Sequence, residues 1–314
     1  MNKPLLCTLL WFATAYSALA QQLPLLSQFQ EAVGVLNPAA LDNNYHKFEH
    51  NLRFGAAHHS QWTGLDGNPQ TSQLAGDIFF DDYGPVAPLL GGYFINDQTG
   101  PTGFTGLYAK VGGVLTSDPY YQGLAFGINF GVTQYNLRFS ELSVRDEETL
   151  LAANDDGRLS PDVGLGIYGY QRFGEHVAFV GVSVPQVLGL DLAFRGQDGE
   201  LATTRYRHYY AQAGAVLALA DNSFLEPSLW VKVVPEVPVN VSTTIRYQTP
   251  TAFYVGLGGS SAKMLHAETG VALGDRDRPE RTMRIGYGFD YSFTAFGPFA
   301  GPTHEFTLSY SLDR

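Results

Sequence analysis

Apolar and polar residues alternate along this chain from about residue 47 to its end. In 281–292 the apolar positions are Met283, Ile285, Tyr287, Phe289 and Tyr291, and Arg284, Gly286, Gly288 and Asp290 lie between them. In 123–132 they are Leu124, Phe126, Ile128, Phe130 and Val132, alternating with glycine and Asn129. In 303–312 they are His304, Phe306, Leu308, Tyr310 and Leu312, alternating with Glu305 and small hydroxyl residues. A period of two places one set on each face of a strand, so each segment has a greasy face and a polar or small one. Extended along the chain, the pattern predicts fourteen strands: 47–61, 69–81, 86–97, 102–116, 120–135, 161–172, 176–187, 204–220, 223–235, 238–249, 252–260, 264–274, 281–292 and 303–312. No helical period of similar strength intervenes, which argues against βαβ units.

The connections fall into two classes. Those after the even-numbered strands, at 82–85, 117–119, 173–175, 221–222, 250–251 and 275–280, are short and rich in turn formers. The other class holds the three longest loops, 136–160, 188–203 and 293–302. Short turns on one rim and long loops on the other mark a membrane β-barrel, with the short turns periplasmic. Arg53, Arg246, Glu268, Arg284, Asp290 and Glu305 lie on the face opposite the apolar one, which in a barrel is the lumen. A soluble β-sandwich would explain the alternation equally well, but not the loop asymmetry or so many strands without a domain break. The expected fold is therefore an all-β, transmembrane, antiparallel up-and-down barrel of about 14 strands.

Residues 1–20 read as a cleaved secretory signal: Lys3 is the basic start, 5–15 the apolar stretch and Ala18-Leu19-Ala20 the cleavage pattern. Residues 21–46 do not alternate, and three readings are open for them: a periplasmic segment, a lumenal plug, or an ordered lead-in to the first strand, the last being preferred. Residues 47–314 form the expected barrel. Downstream of the signal no run of 18 apolar residues occurs, so membrane insertion has to use a closed sheet. The only cysteine, Cys7, lies inside the signal, which removes disulfide and thiol chemistry from the exported part.

The formal net charge of −11 argues against nucleic-acid binding, which needs a basic face. Aromatic residues make up 13% of the chain and charged residues 16%, a mix too apolar for disorder. Gly164, Gly166 and Gly169 spell a dinucleotide-binding pattern, but they sit inside a predicted strand with no helix after it, so they read as packing glycines. His58 and His59 are adjacent on a strand and point to opposite faces, so they cannot share a metal. Asp146-Glu147-Glu148 and Asp155-Asp156 could attract Ca²⁺ but read first as a solvated acidic loop. No H-E-x-x-H or G-x-S-x-G motif is present, and His208 and His304 cannot be brought together from sequence. No catalytic, cofactor or metal residues are expected, and the chain reads as a non-enzyme.

Several ordered segments carry a resemblance. They are Ser27-Gln28-Phe29 with Leu36-Asn37-Pro38-Ala39; the stretch Gln61-Trp62-Thr63-Gly64-Leu65-Asp66-Gly67-Asn68-Pro69-Gln70-Thr71; and Asn96-Asp97 followed by Gly100-Pro101 and Gly106-Leu107-Tyr108. Val182-Ser183-Val184-Pro185, Arg207-His208-Tyr209-Tyr210, Gly286-Tyr287-Gly288-Phe289-Asp290, His304-Glu305 and Leu308-Ser309-Tyr310 continue the series. Together, from about residue 25 to 310, the chain resembles the PorP/SprF family of type IX secretion outer-membrane proteins. It departs from many outer-membrane barrels at its end, Leu312-Asp313-Arg314, which lacks the terminal aromatic residue read by the assembly machinery.

The resemblance implies a non-enzymatic component of the type IX protein secretion system in the outer membrane of a Gram-negative bacterium. It implies support for gliding adhesins and contact with periplasmic ring components, or with secreted cargo carrying type-B C-terminal domains. Outer-membrane lipid is the other expected partner. Trp62, Asp66, Asn96, Asp97, Phe293, Phe296 and Phe299 are the candidates for partner contact, with structural roles preferred for the first four and an aromatic membrane girdle as the alternative for the last three. A passive porin or small-molecule transporter is the competing function, and a membrane-barrel hydrolase is a third.

Overall fold

The computed structural model describes residues 26–314, apart from 82–83, 139–155, 189–190, 197–198, 205 and 275–279. The signal segment and the acidic residues Asp146, Glu147, Glu148 and Asp155 lie outside the described residues.

Fourteen antiparallel strands close into one barrel. They are β1 (Leu52–Ser60), β2 (Gln70–Phe79), β3 (Val86–Thr99), β4 (Thr102–Leu115), β5 (Gln122–Leu137), β6 (Asp156–Phe173), β7 (His176–Val184), β10 (Tyr209–Ala218), β11 (Phe224–Val233), β12 (Asn240–Gln248), β13 (Phe253–Ser260), β14 (Met264–Gly274), β15 (Arg281–Ser292) and β16 (Thr303–Leu312). Two further strands, β8 (Asp191–Gly196) and β9 (Gly199–Thr204), pair only with each other. Closure is made by β1, whose Leu52 pairs with Ile78 of β2 on one side and with Leu312 of β16 on the other. Every barrel strand thus has two neighbours, which removes the unpaired edges that lipid cannot satisfy.

The two rims differ as the loop lengths predict. Connections 80–85, 116–121, 174–175, 219–223, 249–252 and 275–280 lie on the rim that also holds both ends of the sheet, and none exceeds six residues. The opposite rim carries 61–69, 138–155, 185–208 and 293–302, although three of its connections are also short. One of these is the two-residue turn 100–101, where Gly100 takes the left-handed φ of 52° that a tight reversal requires.

Side chains sort as the alternation predicts. Phe54, Leu107, Phe130, Val180, Leu257, Ile285 and Phe306 are exposed on the outer wall, whereas Arg53, Arg246, Glu268, Arg284, Asp290 and Glu305 are buried inside. No helix among the described residues is long and apolar enough to cross a membrane; the greasy surface belongs to the strands.

Two expectations need correction. The first strand does not start at 47 but at Leu52. Residues 43–48 form a helix instead, because Asp42 caps it by accepting the Asn44 N–H (2.5 Å), an option the backbone takes where a short polar side chain precedes the turn. The segment 188–203, read as loop, contains the β8–β9 hairpin, and β10 begins at Tyr209 rather than at 204.

Candidate functional site

The lumen is occupied by the chain's own beginning. Residues 26–51 run down the inside of the barrel from the long-loop rim to the short-turn rim. They form a 3-10 turn (Phe29–Ala32), helix α1 (Val33–Leu36) and helix α2 (Asn43–Phe48).

At the upper end the backbone N–H groups of Ser27 and Gln28 donate to the two carboxylate oxygens of Glu305 (2.7 and 2.9 Å). Phe29 stacks on Trp230 with ring centroids 5.3 Å apart, and Tyr210 packs against the same indole. Glu31 accepts a hydrogen bond from Arg246 Nη1 (2.8 Å) and lies 3.5 Å from Arg53 Nη2. Arg53 in turn reaches Asp42. Burial pushes the Glu31 carboxyl up, but the guanidinium groups of Arg246, Arg284 and Arg53 outweigh it and hold the group below its ordinary range.

The middle of the segment is the Asn37-Pro38-Ala39 turn. Asn37 Oδ1 accepts from the Ala39 N–H (3.0 Å), its Nδ2 donates to the Ile167 carbonyl (3.2 Å), and Ser183 donates to the Leu36 carbonyl (2.7 Å). The turn lies against bare backbone: a Cβ on Gly127 would overlap Pro38, and one on Gly166 would overlap Asn37 Oδ1. Lower down, Asn44 donates to Ser311 (3.1 Å), Lys47 pairs with Glu226 (2.8 Å), and His46 Nε2 meets the Tyr168 hydroxyl (2.7 Å). Burial, reinforced by the cationic Arg172 and Lys47, pulls the His46 imidazole down to about 3, so it is neutral at physiological pH. Burial and the charge of Arg284 pull Lys47 down to about 8, although Glu226 opposes them.

Near the long-loop rim, Ser27, His59, Asn240, Ser242, Ser260, His266, Asp290 and Thr303, together with the apolar Leu26, Phe29 and Met264, line a small cavity of about 60 Å³. A serine, two histidines and acids do converge here. However, His59 uses one nitrogen, Nδ1, toward both Glu305 (2.8 Å) and Ser27 Oγ (3.5 Å). Ser27 gives its hydroxyl proton to Asp290, and His266 has a carboxylate on each ring nitrogen, Asp290 at 2.7 Å and Glu268 at 3.3 Å. A proton relay needs the nucleophile and the orienting acid on opposite nitrogens of one ring, and neither histidine provides that. The network is built to hold Ser27. Among the described residues no group of His, Cys, Asp and Glu is arranged to hold a metal.

The residues singled out from sequence all lie at or near the long-loop rim, in two groups. Trp62, in the left-handed region at φ 55°, meets the edge of Phe296 at 5.6 Å, and Gly64 N–H donates to the Ala300 carbonyl (2.9 Å). This docks loop 61–69 onto the short helix α3 (Gly297–Ala300). Phe293 and Phe299 are 63% and 78% exposed beside it. Asp66 is exposed at the tip of the same loop, which touches the 100–101 turn through Gly100 N–H and the Gly67 carbonyl (3.0 Å). Asn96 and Asp97 stand on opposite faces of β3: Asn96 donates outward to Thr105 (2.8 Å), and Asp97 accepts from Thr71 inside (2.5 Å). Those two therefore do not form one contact surface. The alternation puts Arg246 and Glu305 on the lumenal face without showing what they hold, and Glu31 lies in a stretch that has no alternation, so the anchoring roles of all three emerge only from the fold.

A closed barrel, greasy outside and filled inside by a polar-anchored segment, defines a membrane β-barrel protein. The description "Type IX secretion system membrane protein PorP/SprF" matches residues 18–310, and the chain belongs to that family. Its fold is shared with solved barrels of low identity. The CymD monoaromatic hydrocarbon channel gives a TM-score of 0.55 at 10% identity, covering 90% of this chain and 93% of that one. The Pseudomonas putida toluene transporter TodX gives 0.51 at 9% identity, with 90% and 93% covered. Comparison with curated proteins returned no match.

Proposed function

We propose that this protein is a non-enzymatic outer-membrane component of the type IX secretion system, a barrel that anchors periplasmic ring components and receives exported cargo at its long-loop rim. On this reading residues 1–20 are removed on export, the short turns face the periplasm and the long loops face outward. The observation that carries it is the filled lumen. Glu31, Asn37, Asn44 and Lys47 bind the inner segment to at least four different strands, which leaves the rims, and not a pore, as the working surfaces. The Trp62–Phe296 junction with exposed Phe293 and Phe299 is the surface we assign to partner contact.

The test is deletion of the gene with complementation by wild type or by Phe293→Ser/Phe299→Ser, reading surface display of an exported adhesin. Display should need the gene, and the rim variant should lower it with the barrel still inserted. Unchanged display on deletion overturns the role. The resemblance in fold to hydrocarbon channels keeps a transporter as the alternative, and large steady conductance of the wild type in planar bilayers would favour it.

A further inference from the structure

The glycine pattern in β6 has two different physical origins. Gly164 and Gly166 face inward, where Pro185 and Asn37 leave no room for a Cβ. Gly169 is at an odd position and faces outward, and a Cβ there would meet nothing nearer than 3.8 Å. The interior does not require glycine at 169. What its bareness creates is a gap in the outer wall.

The register places that gap in a row of large apolar residues. Leu115 pairs with Leu124, Leu124 with Gly169, and Gly169 with Val180. The result is a shallow groove of about 740 Å³, walled by Leu115, Leu124 and Val180, with Phe173 at its short-turn end beyond Gln171. One row nearer mid-membrane, Phe126 pairs with Ile167 and Ile167 with Val182, restoring bulk and ending the groove. One row nearer the short-turn rim the side chains turn polar, with Gln122 paired to Gln171, and Thr116 and Ser117 beside them. The groove is therefore apolar at its closed end and rich in amide and hydroxyl groups at its open end, on a wall whose solvent is lipid.

We propose that this groove holds the headgroup-proximal part of one phospholipid acyl chain from the leaflet on the short-turn side, with the glycerol esters against Gln122 and Gln171. Amide N–H donors suit ester carbonyls, and methylenes replace the missing side chain of residue 169. Ordinary boundary lipid would exchange freely; a chain seated in a shaped groove exchanges slowly.

The test uses the full chain, extracted from membranes in mild detergent, exchanged extensively and analysed for retained phospholipid by mass spectrometry. Wild type should keep about one phospholipid per chain. Gly169→Leu, whose Cβ would meet nothing nearer than 3.8 Å and whose remaining atoms enter the groove, should lower retention at least fivefold. Ala267→Leu, placing the same side chain on the outer face of β14, should leave it unchanged, and Gln122→Ala with Gln171→Ala should lower it partially. Wild type that retains no phospholipid, or Gly169→Leu that retains as much as wild type, overturns the proposal. Should Gly169→Leu fail to fold, crystals of the wild type grown with an acyl-brominated phospholipid give a second answer. Anomalous density between Leu124 and Val180 supports the site, and its absence there overturns it.

Discussion

Arg246 on β12 holds Glu31 of the inner segment at 2.8 Å with one arm, and with the other two nitrogens of its guanidinium grips Glu268 on β14 at 2.8 and 3.1 Å. The barrel wall and its contents thus share one cation. Removing one member of a buried pair leaves the other unsolvated, which typically costs about 3–5 kcal/mol. Glu31→Gln should fall at the lower end of that range, because Arg246 keeps Glu268 and Arg53 keeps Asp42. Arg246→Ala leaves two buried carboxylates and should cost more. The loss should appear first in the inner segment: earlier proteolysis within 26–51 and raised planar-bilayer conductance, with the heat-modifiable gel shift of the barrel retained. Equal proteolysis of Glu31→Gln and wild type would show that the segment is held elsewhere.

His46 gives a pH dependence with a definite sign. Its ordinary value is 6.5, and in the folded chain burial and the neighbouring Arg172 hold it at about 3. Between these values the unfolded chain binds the proton and the folded one does not, so stability is fully present above about 6.5 and declines as pH falls toward 3. Loosening of the inner segment, followed by protease access at pH 7 and pH 4, should increase at the acid end. His46→Phe, which keeps the ring against Tyr168 and Phe179, should flatten that dependence. A dependence of the same steepness in His46→Phe would assign the acid sensitivity to other groups.

The turn at Asn37 depends on two glycines of the wall. Gly166→Val places a branched side chain where Asn37 Oδ1 now lies, and Gly127→Val does the same against Pro38. Both should expel the middle of the segment while the strands stay paired, since valine suits a strand. Cysteine labelling at Ala39→Cys, buried in the wild type, should become at least tenfold faster in either variant. Unchanged labelling would mean that the turn shifts within the lumen without leaving it.

The elements differ in how far they could be read from sequence, and for a physical reason. The period of two in 281–292 and 303–312 comes from lipid on one side and packed polar groups on the other. That constraint acts at every residue, so strands β15 and β16 were found to the residue. The inner segment obeys no such period, because it is surrounded by wall on all sides: Phe29, Glu31 and Asn44 are all buried though they differ in polarity. Much of its path is decided by partners 130 or more positions away, such as Ile167 for Asn37 and Glu305 for Gln28, which no local pattern encodes. For the same reason Lys47 and Phe48 were read as strand: their alternation with neighbours imitates β1, and only the Asp42 cap turns them into helix. Among the candidate partner residues, the Trp62–Phe296 junction joins loops more than two hundred positions apart, whereas Asn96 and Asp97 separate simply because adjacent strand residues face opposite ways.

Leu257, 67% exposed on the outer wall of β13 between Ile245 and Ala267, decides what lies outside the barrel. If lipid surrounds the strands, arginine there must be carried into the hydrocarbon region, at about 2–4 kcal/mol near the midplane. Leu257→Arg should then slow or block insertion into phospholipid vesicles and lower the unfolding free energy from urea titration by that amount. If water surrounded the strands, the same change would remove exposed grease and be neutral or favourable. Phe299→Arg, on the long-loop rim in the connection between β15 and β16, serves as the reference, since a charge at that depth costs about 0–1 kcal/mol. A large loss for Leu257→Arg with little for Phe299→Arg is the outcome expected of a membrane barrel. Equal tolerance of both would leave the greasy wall of Ile245, Leu257 and Ile285 without a solvent to explain it.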